Sequence, residues 1–123
     1  MKVISTEKAP AAIGPYSQAI MVDGVLFTSG QIPLNPATGS VAGSDIETQT
    51  EQVMRNLSAV LKEAGMDFEN VVKTTCFIAN MEYFSAFNQI YSKYFVSKPA
   101  RSCVEVSRLP KNVLVEVELI AKK

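Results

Sequence analysis

A chain of 123 residues is long enough for one hydrophobic core and too short for two, so a single domain over 1–123 is expected. Its twelve basic and twelve acidic side chains cancel, which removes any global field drawing it to nucleic acid or to an anionic membrane. With no histidine present, the side chain most used as general acid or base and as metal ligand is missing, and proton chemistry falls to carboxylate, tyrosine, lysine, cysteine or water.

No apolar run approaches the roughly 20 residues of a membrane helix, and no signal-peptide core follows Met1. Cys76 and Cys103 form no C-x-x-C and have no histidine to complete a metal set. Reduced thiols in a cytoplasmic protein, with no metal and no membrane contact, are the expectation.

In chain order, Val3 and Ile4 read as a short first strand, and the stretch 9–15, with two prolines and a glycine, as irregular chain. Tyr16 to Val22 and Val25 to Ser29 flank Asp23-Gly24. That dipeptide suits a type I′ turn, whose two central residues need positive φ, so a hairpin is predicted. Thr28-Ser29-Gly30-Gln31-Ile32-Pro33 then runs from a strand end into a Pro/Asn/Gly loop. Gly30 either admits a close approach to the backbone or simply marks a bulge or turn.

Ser44-Asp45-Ile46-Glu47 fits a capping box. Ile46, Val53, Met54, Leu57, Val60, Leu61 and Ala64 follow at helical spacing until Gly65, leaving Glu51, Arg55, Lys62 and Glu63 on a solvated face. Val71 to Ala79 has the β-branched and aromatic content of a buried strand, with Lys73 reaching out to water. A second helix is predicted over 81–95, where Phe84, Phe87, Ile90, Tyr91, Tyr94 and Phe95 form one core-facing stripe. Asn88 lies beside that stripe, either exposed or hydrogen-bonding in a cleft.

The C-terminal third carries the most chemistry. Pro99 to Val106 and Val113 to Ala121 both alternate in character, and Leu109-Pro110-Lys111-Asn112 lies between them, which predicts two antiparallel strands joined by a loop. If the two strands pair, Val104, Val106, Val113, Val115, Val117 and Leu119 share the core face, and Arg101, Cys103, Glu105, Leu114, Glu116, Glu118 and Ile120 share the other. That second face is either a ligand site or subunit contact, with Arg101 gripping an anion and a glutamate as base, or a cross-strand Arg/Glu ladder facing water. The resulting α+β order is three strands, helix, strand, helix and two strands. Two helices can cover one face of a six-stranded sheet, and nothing remains for the other, so an oligomer is expected to bury it.

The residues Ala12-Ile13-Gly14-Pro15-Tyr16-Ser17-Gln18, Thr28-Ser29-Gly30-Gln31-Ile32-Pro33, Val72-Lys73-Thr74-Thr75 and Pro99-Ala100-Arg101-Ser102-Cys103-Val104-Glu105-Val106, with Leu109-Pro110 and Val115-Glu116-Val117, resemble the Rid (YjgF-type) family. The likeness runs in order through nearly the whole chain and is nearest to the RidA branch of enamine/imine deaminases. It implies a chorismate-mutase-like mixed sheet with two helices on one face, assembled as a homotrimer with sites between neighbours. It further implies hydrolysis of 2-aminoacrylate/2-iminopropanoate and 2-iminobutanoate, released by pyridoxal-phosphate dehydratases, to 2-oxo acids and ammonia without a cofactor.

By matching position, the resemblance gives Arg101 the substrate carboxylate and Glu116 the attacking water. The backbone N–H groups of Cys103 and Gly30 hold the ligand's polar end, and Tyr16, Ser29 and Asn88 line the cleft. The Cys103 thiol is expected to be neutral and packed, because no dense positive cluster is evident to acidify it. Relatives have also been described as translation inhibitors with ribonuclease activity, as chaperone-like proteins and as partners of a purine-biosynthesis regulator. A regulatory or ligand-sensing role, with a protein partner, is therefore the alternative. The absence of histidine and of net positive charge gives the ribonuclease reading little support.

Overall fold

The computed structural model describes residues 1–123 and contains one six-stranded mixed sheet and two α-helices. The strands are β1 (Lys2–Ile4), β2 (Ala19–Val22), β3 (Val25–Thr28), β4 (Val71–Ile78), β5 (Ala100–Glu105) and β6 (Val115–Lys122). The helices are α1 (Ile46–Glu63) and α2 (Phe84–Tyr94). Asp23 and Gly24 both have positive φ, as the β2/β3 turn requires. The second strand begins only at Ala19; Tyr16, Ser17 and Gln18 precede it. The predicted second helix is split, with a 3-10 turn over Met81–Tyr83 before α2.

The N-cap of α1 is Asp45, not Ser44: its side chain accepts from the Thr48 N–H, so the capping box read from the sequence is replaced by a simple Asp cap. Glu51 also departs from the solvated face assigned to it. Its carboxylate accepts the Tyr94 hydroxyl at 2.5 Å, tying α1 to α2.

The sheet order is β1-β2-β3-β6-β4-β5. The last two strands are therefore not a pair. The β4 strand lies between them, antiparallel to β6 and parallel to β5, with α2 as the crossover that parallel pairing demands. Because β6 is flanked on both sides, Val115, Val117, Leu119 and Ala121 are all buried. Strand β5, free on one side, is largely exposed.

This order overturns the predicted sharing of one face by Arg101 and Glu116. Thr74 pairs with Arg101 and Leu119, while Phe77 pairs with Val104 and Glu116. Thr74 and Phe77 are three residues apart, so on a strand they point to opposite faces. Thr74 is buried with Cys76, Ile78, Val117 and the helices' Val53, Leu57, Leu61 and Phe87. Arg101, Cys103 and Glu105 therefore belong to the helix-covered side and Glu116 to the open side, and no Arg/Glu ladder exists.

The open face carries Ile20, Phe27 and Ile120 in one row and Phe77 and Val104 in another, with Lys73, Glu116 and Glu118 between them, and no element of the chain covers it. Val3, Phe27 and Val104 retain 57, 44 and 44 % of their exposure.

Buried amides pin the loops to this frame. Asn56 of α1 is fully buried, accepts from Gln52 and donates to the carbonyls of Ile32 and Leu34. Gln18 does the same for the N-terminal segment through Thr6, Ala9 and Pro10. Asn56→Ala should thus cost about 2–4 kcal/mol, the loss of three bonds with two carbonyls and the Gln52 amide left without this partner. Urea unfolding would read this as a lower midpoint at unchanged slope. A loss below about 1 kcal/mol would mean that other contacts hold the 31–35 loop.

Candidate functional site

The residues singled out from the sequence fall into two groups on different parts of the surface. Tyr16, Ser29, Gly30 and Glu116 line one cavity of about 400 Å³, with Ile32 and Pro110. Asn88 and Arg101 line another of about 460 Å³, with Tyr91, Phe95, Lys98 and Pro99. No residue is common to both. Cys103 lies one same-face rung beyond Arg101 along β5.

The first group is built by a one-residue bulge. From the Phe27/Ile120 pair to the Gln31/Val117 bridge, the chain takes four steps against three on β6, and Ser29 and Gly30 are the residues pushed out of the ladder. Ser29 is fastened through its hydroxyl to the Ser17 carbonyl at 2.6 Å and through its N–H to Gln18. These bonds bring Tyr16 alongside. The Gln31 N–H goes to Val117, while the Gly30 N–H is left without a partner in the chain.

Glu116 lies directly on Gly30: a Cβ there would sit 2.8 Å from Glu116 Cδ and closer still to Oε2. Both readings of Gly30 thus hold at once, the bulge and the close approach. Burial raises the Glu116 carboxyl above the usual glutamate range, and the Glu118 charge adds to the rise.

The second group is an arginine mount. Arg101 donates from Nη1 to Asn88 Oδ1 at 2.6 Å, and its guanidinium carbon stands 4.7 Å from the Tyr91 ring centroid and 5.3 Å from that of Phe84. Tyr91 is itself located by a 2.7 Å bond between its hydroxyl and Thr74 Oγ1. Of the five N–H donors of the fork, one is used on Asn88, so a planar anion can still be bound in bidentate fashion. Tyr91 and Phe84, read from the sequence as plain core residues, are this platform. Their i, i+7 spacing from the core stripe hides the role, because nothing in it says that an arginine lies underneath.

Cys103 departs from expectation. The register makes Cys76 its direct neighbour on β4. The Cys76 thiol beside it, helped by the Arg101 charge and opposed by burial, lowers the Cys103 thiol to about 7. The same neighbour and complete burial push the Cys76 thiol up. No three histidine, cysteine or acidic side chains converge to hold a metal ion, and no helix is long and apolar enough to cross a membrane.

The sequence model of the endoribonuclease L-PSP family matches residues 6–123. A Lactococcus lactis protein whose name, AldR, is that of a regulator is 63 % identical, with 99 % of this chain and 98 % of that one covered. The 2-iminobutanoate/2-iminopropanoate deaminase of Mus musculus is 50 % identical over 98 % of this chain and 90 % of its own length. Among solved structures, a Yersinia pestis protein of the conserved Rid family superposes with a TM-score of 0.97 at 55 % identity, covering 99 % of this chain and 98 % of that one.

Two outcomes test this geometry. Glu116 has a folded-state pKa above its unfolded value, so the stability it contributes is present below the ordinary glutamate range and is lost as pH rises through the raised pKa. Glu116→Gln should therefore melt higher than the parent at pH 7 and equal to it in acid. A variant that melts lower at pH 7 would mean that a contact holds the carboxylate in place. Gly30→Ala should stay folded while the new methyl displaces the Glu116 side chain, visible as a return of the Glu116 carboxyl toward ordinary titration by NMR. An unmoved titration would contradict the packing described.

Proposed function

The chain belongs to the Rid (YjgF-type) family, and on that footing we propose that it hydrolyses 2-imino acids and their enamine tautomers to 2-oxo acids and ammonia. The preferred substrates in this reading are 2-aminoacrylate/2-iminopropanoate and 2-iminobutanoate, in the cytoplasm, beside the dehydratases that release them. The observation that carries it is the Arg101 mount. A guanidinium stacked on Tyr91 and steered by Asn88 presents a preorganised fork to a small planar carboxylate.

The separation of Arg101 from Glu116 supports an assembly in which one copy supplies the arginine group and a neighbour the Gly30/Glu116 group. The uncovered sheet face, with its exposed Val3, Phe27 and Val104, supports the same arrangement, and a homotrimer is the closed form that this reading takes. In the joined cleft, Arg101 holds the carboxylate and the Gly30 N–H, which has no partner in the chain, donates to the polar end of the ligand. The Cys103 N–H contributes beside it, and Tyr16, Ser29 and Asn88 line the walls.

The chemistry needs no more than proton traffic. The enamine carbon takes a proton to give the imine. Water loses a proton to Glu116 as its oxygen adds to the imine carbon, and that proton passes to nitrogen. The hydroxyl so formed then gives up its own proton, relayed to the departing nitrogen, as the C–N bond breaks to release ammonia and leave the 2-oxo acid. A carboxyl raised by burial suits this, because a base nearer to neutrality both accepts and returns the proton readily.

The name of the 63 %-identical relative favours a second reading, a regulator that senses 2-oxo or 2-imino acids at Arg101 without turnover. A protein partner would belong to that reading.

A dehydratase acting on serine or threonine generates the enamine in place, and the rate of 2-oxo acid release is compared with and without this protein. Acceleration is expected, with a loss of roughly 10²-fold or more in Arg101→Ala and in Glu116→Gln. Co-expressed Arg101→Ala and Glu116→Gln chains should recover about a quarter of the parent activity, since in a closed ring that share of the interfaces unites an intact arginine group with an intact glutamate group. No recovery would refute a site shared between copies. Binding of 2-oxo acid with no acceleration would replace the deaminase by the sensor.

A further inference from the structure

We infer that Cys76 and Cys103 form a reversible dithiol/disulfide pair, a redox modification site one rung from Arg101 on the helix-covered side of the sheet. The two residues are direct partners in the parallel β4/β5 ladder, so their side chains emerge side by side on one face. Neighbouring strands lie about 4.7–4.9 Å apart, inside the window of about 4.4–6.8 Å between Cα atoms that a disulfide spans. The bridge asks the Cβ atoms to close slightly, and β5 can do this because it is an edge strand held only by β4.

The two sulfurs are unequal. Cys76 is fully buried and donates to Thr74 Oγ1 at 3.9 Å, whereas Cys103 is partly exposed. A hydroperoxide is the oxidant by class. The Cys103 thiolate attacks its terminal oxygen, the O–O bond breaks, and the alcohol or water departs, leaving a sulfenic acid on Cys103. The Cys76 sulfur then displaces that hydroxyl; the S–S bond forms, and water leaves with the Cys76 proton. The two thiols give up two electrons and the peroxide takes them, and a low-molecular-weight thiol reverses the change by exchange.

In the oxidised form Cys76 no longer offers its proton to Thr74, the residue that holds the Tyr91 platform beneath Arg101. The pair therefore sits where its state reaches the arginine. Its readout is the covalent state of two sulfurs, so it stands or falls independently of the deaminase reading.

The test treats the reduced full chain with hydrogen peroxide, traps free thiols with an alkylating agent and measures intact mass. Expected is a monomer-mass species two hydrogens lighter, with neither cysteine alkylated, that recovers both thiols after dithiothreitol. Cys76→Val should stop at a Cys103 sulfenic acid trapped by dimedone. The inference is overturned if the folded parent keeps both thiols alkylatable, if it yields only disulfides between chains, or if Cys76→Val still forms the lighter species.

Discussion

The alternation of side chains along β4 governs the molecule's surface. One strand faces β6 on one edge and β5 on the other, and its two sides sort every partner it touches. Thr74, Cys76 and Ile78 draw Arg101, Cys103 and Glu105 to the helices, while Phe77 draws Val104 and Glu116 to the open face. A period of two leaves no freedom in this sorting, since a one-residue slip would turn the core of β6 to water. An arginine and a glutamate that look like partners in the sequence are held apart by the sheet itself.

Each is held differently. Arg101 is made rigid: an amide fixes one nitrogen and two aromatic rings support its plane, so less rotamer entropy remains to be lost when an anion arrives. Glu116 is made basic: partial burial against Gly30 and the nearby Glu118 disfavour its charge. The missing Cβ of residue 30 is what allows that burial, and the bulge is what leaves the Gly30 N–H free. The arginine group and the glutamate group thus sit in separate constructions, and the proposed assembly is the step that would join them.

Long polar side chains do the positioning between these constructions. Asn56, Gln18 and Gln49 are buried, and each bonds backbone groups of a loop distant in sequence. Loops without regular structure around Gly30 and Leu34 acquire defined positions this way, because a buried amide left unpaired costs more than a bond gains. The 31–35 segment adds the isolated bridges Gln31/Val117 and Leu34/Val41 to these amide bonds.

Local chemistry alone determined the hairpin at Asp23-Gly24, the amphipathic α1, the aromatic stripe of α2 and the buried alternation of Val115, Val117 and Leu119. Each depends only on φ preferences or on periodicity within a few residues. The motifs around Gly30 and Arg101 likewise carry the family likeness in the sequence alone. Strand neighbours did not follow from that information. Residues 113–121 alternate in the same way beside either partner, and only the crossover of α2, which returns β5 parallel to β4, decides that β4 is inserted between β5 and β6. That long-range choice set Arg101 and Glu116 on opposite faces and brought Cys76 against Cys103, because pairing in a sheet is a property of three strands at once, which no single stretch of sequence contains.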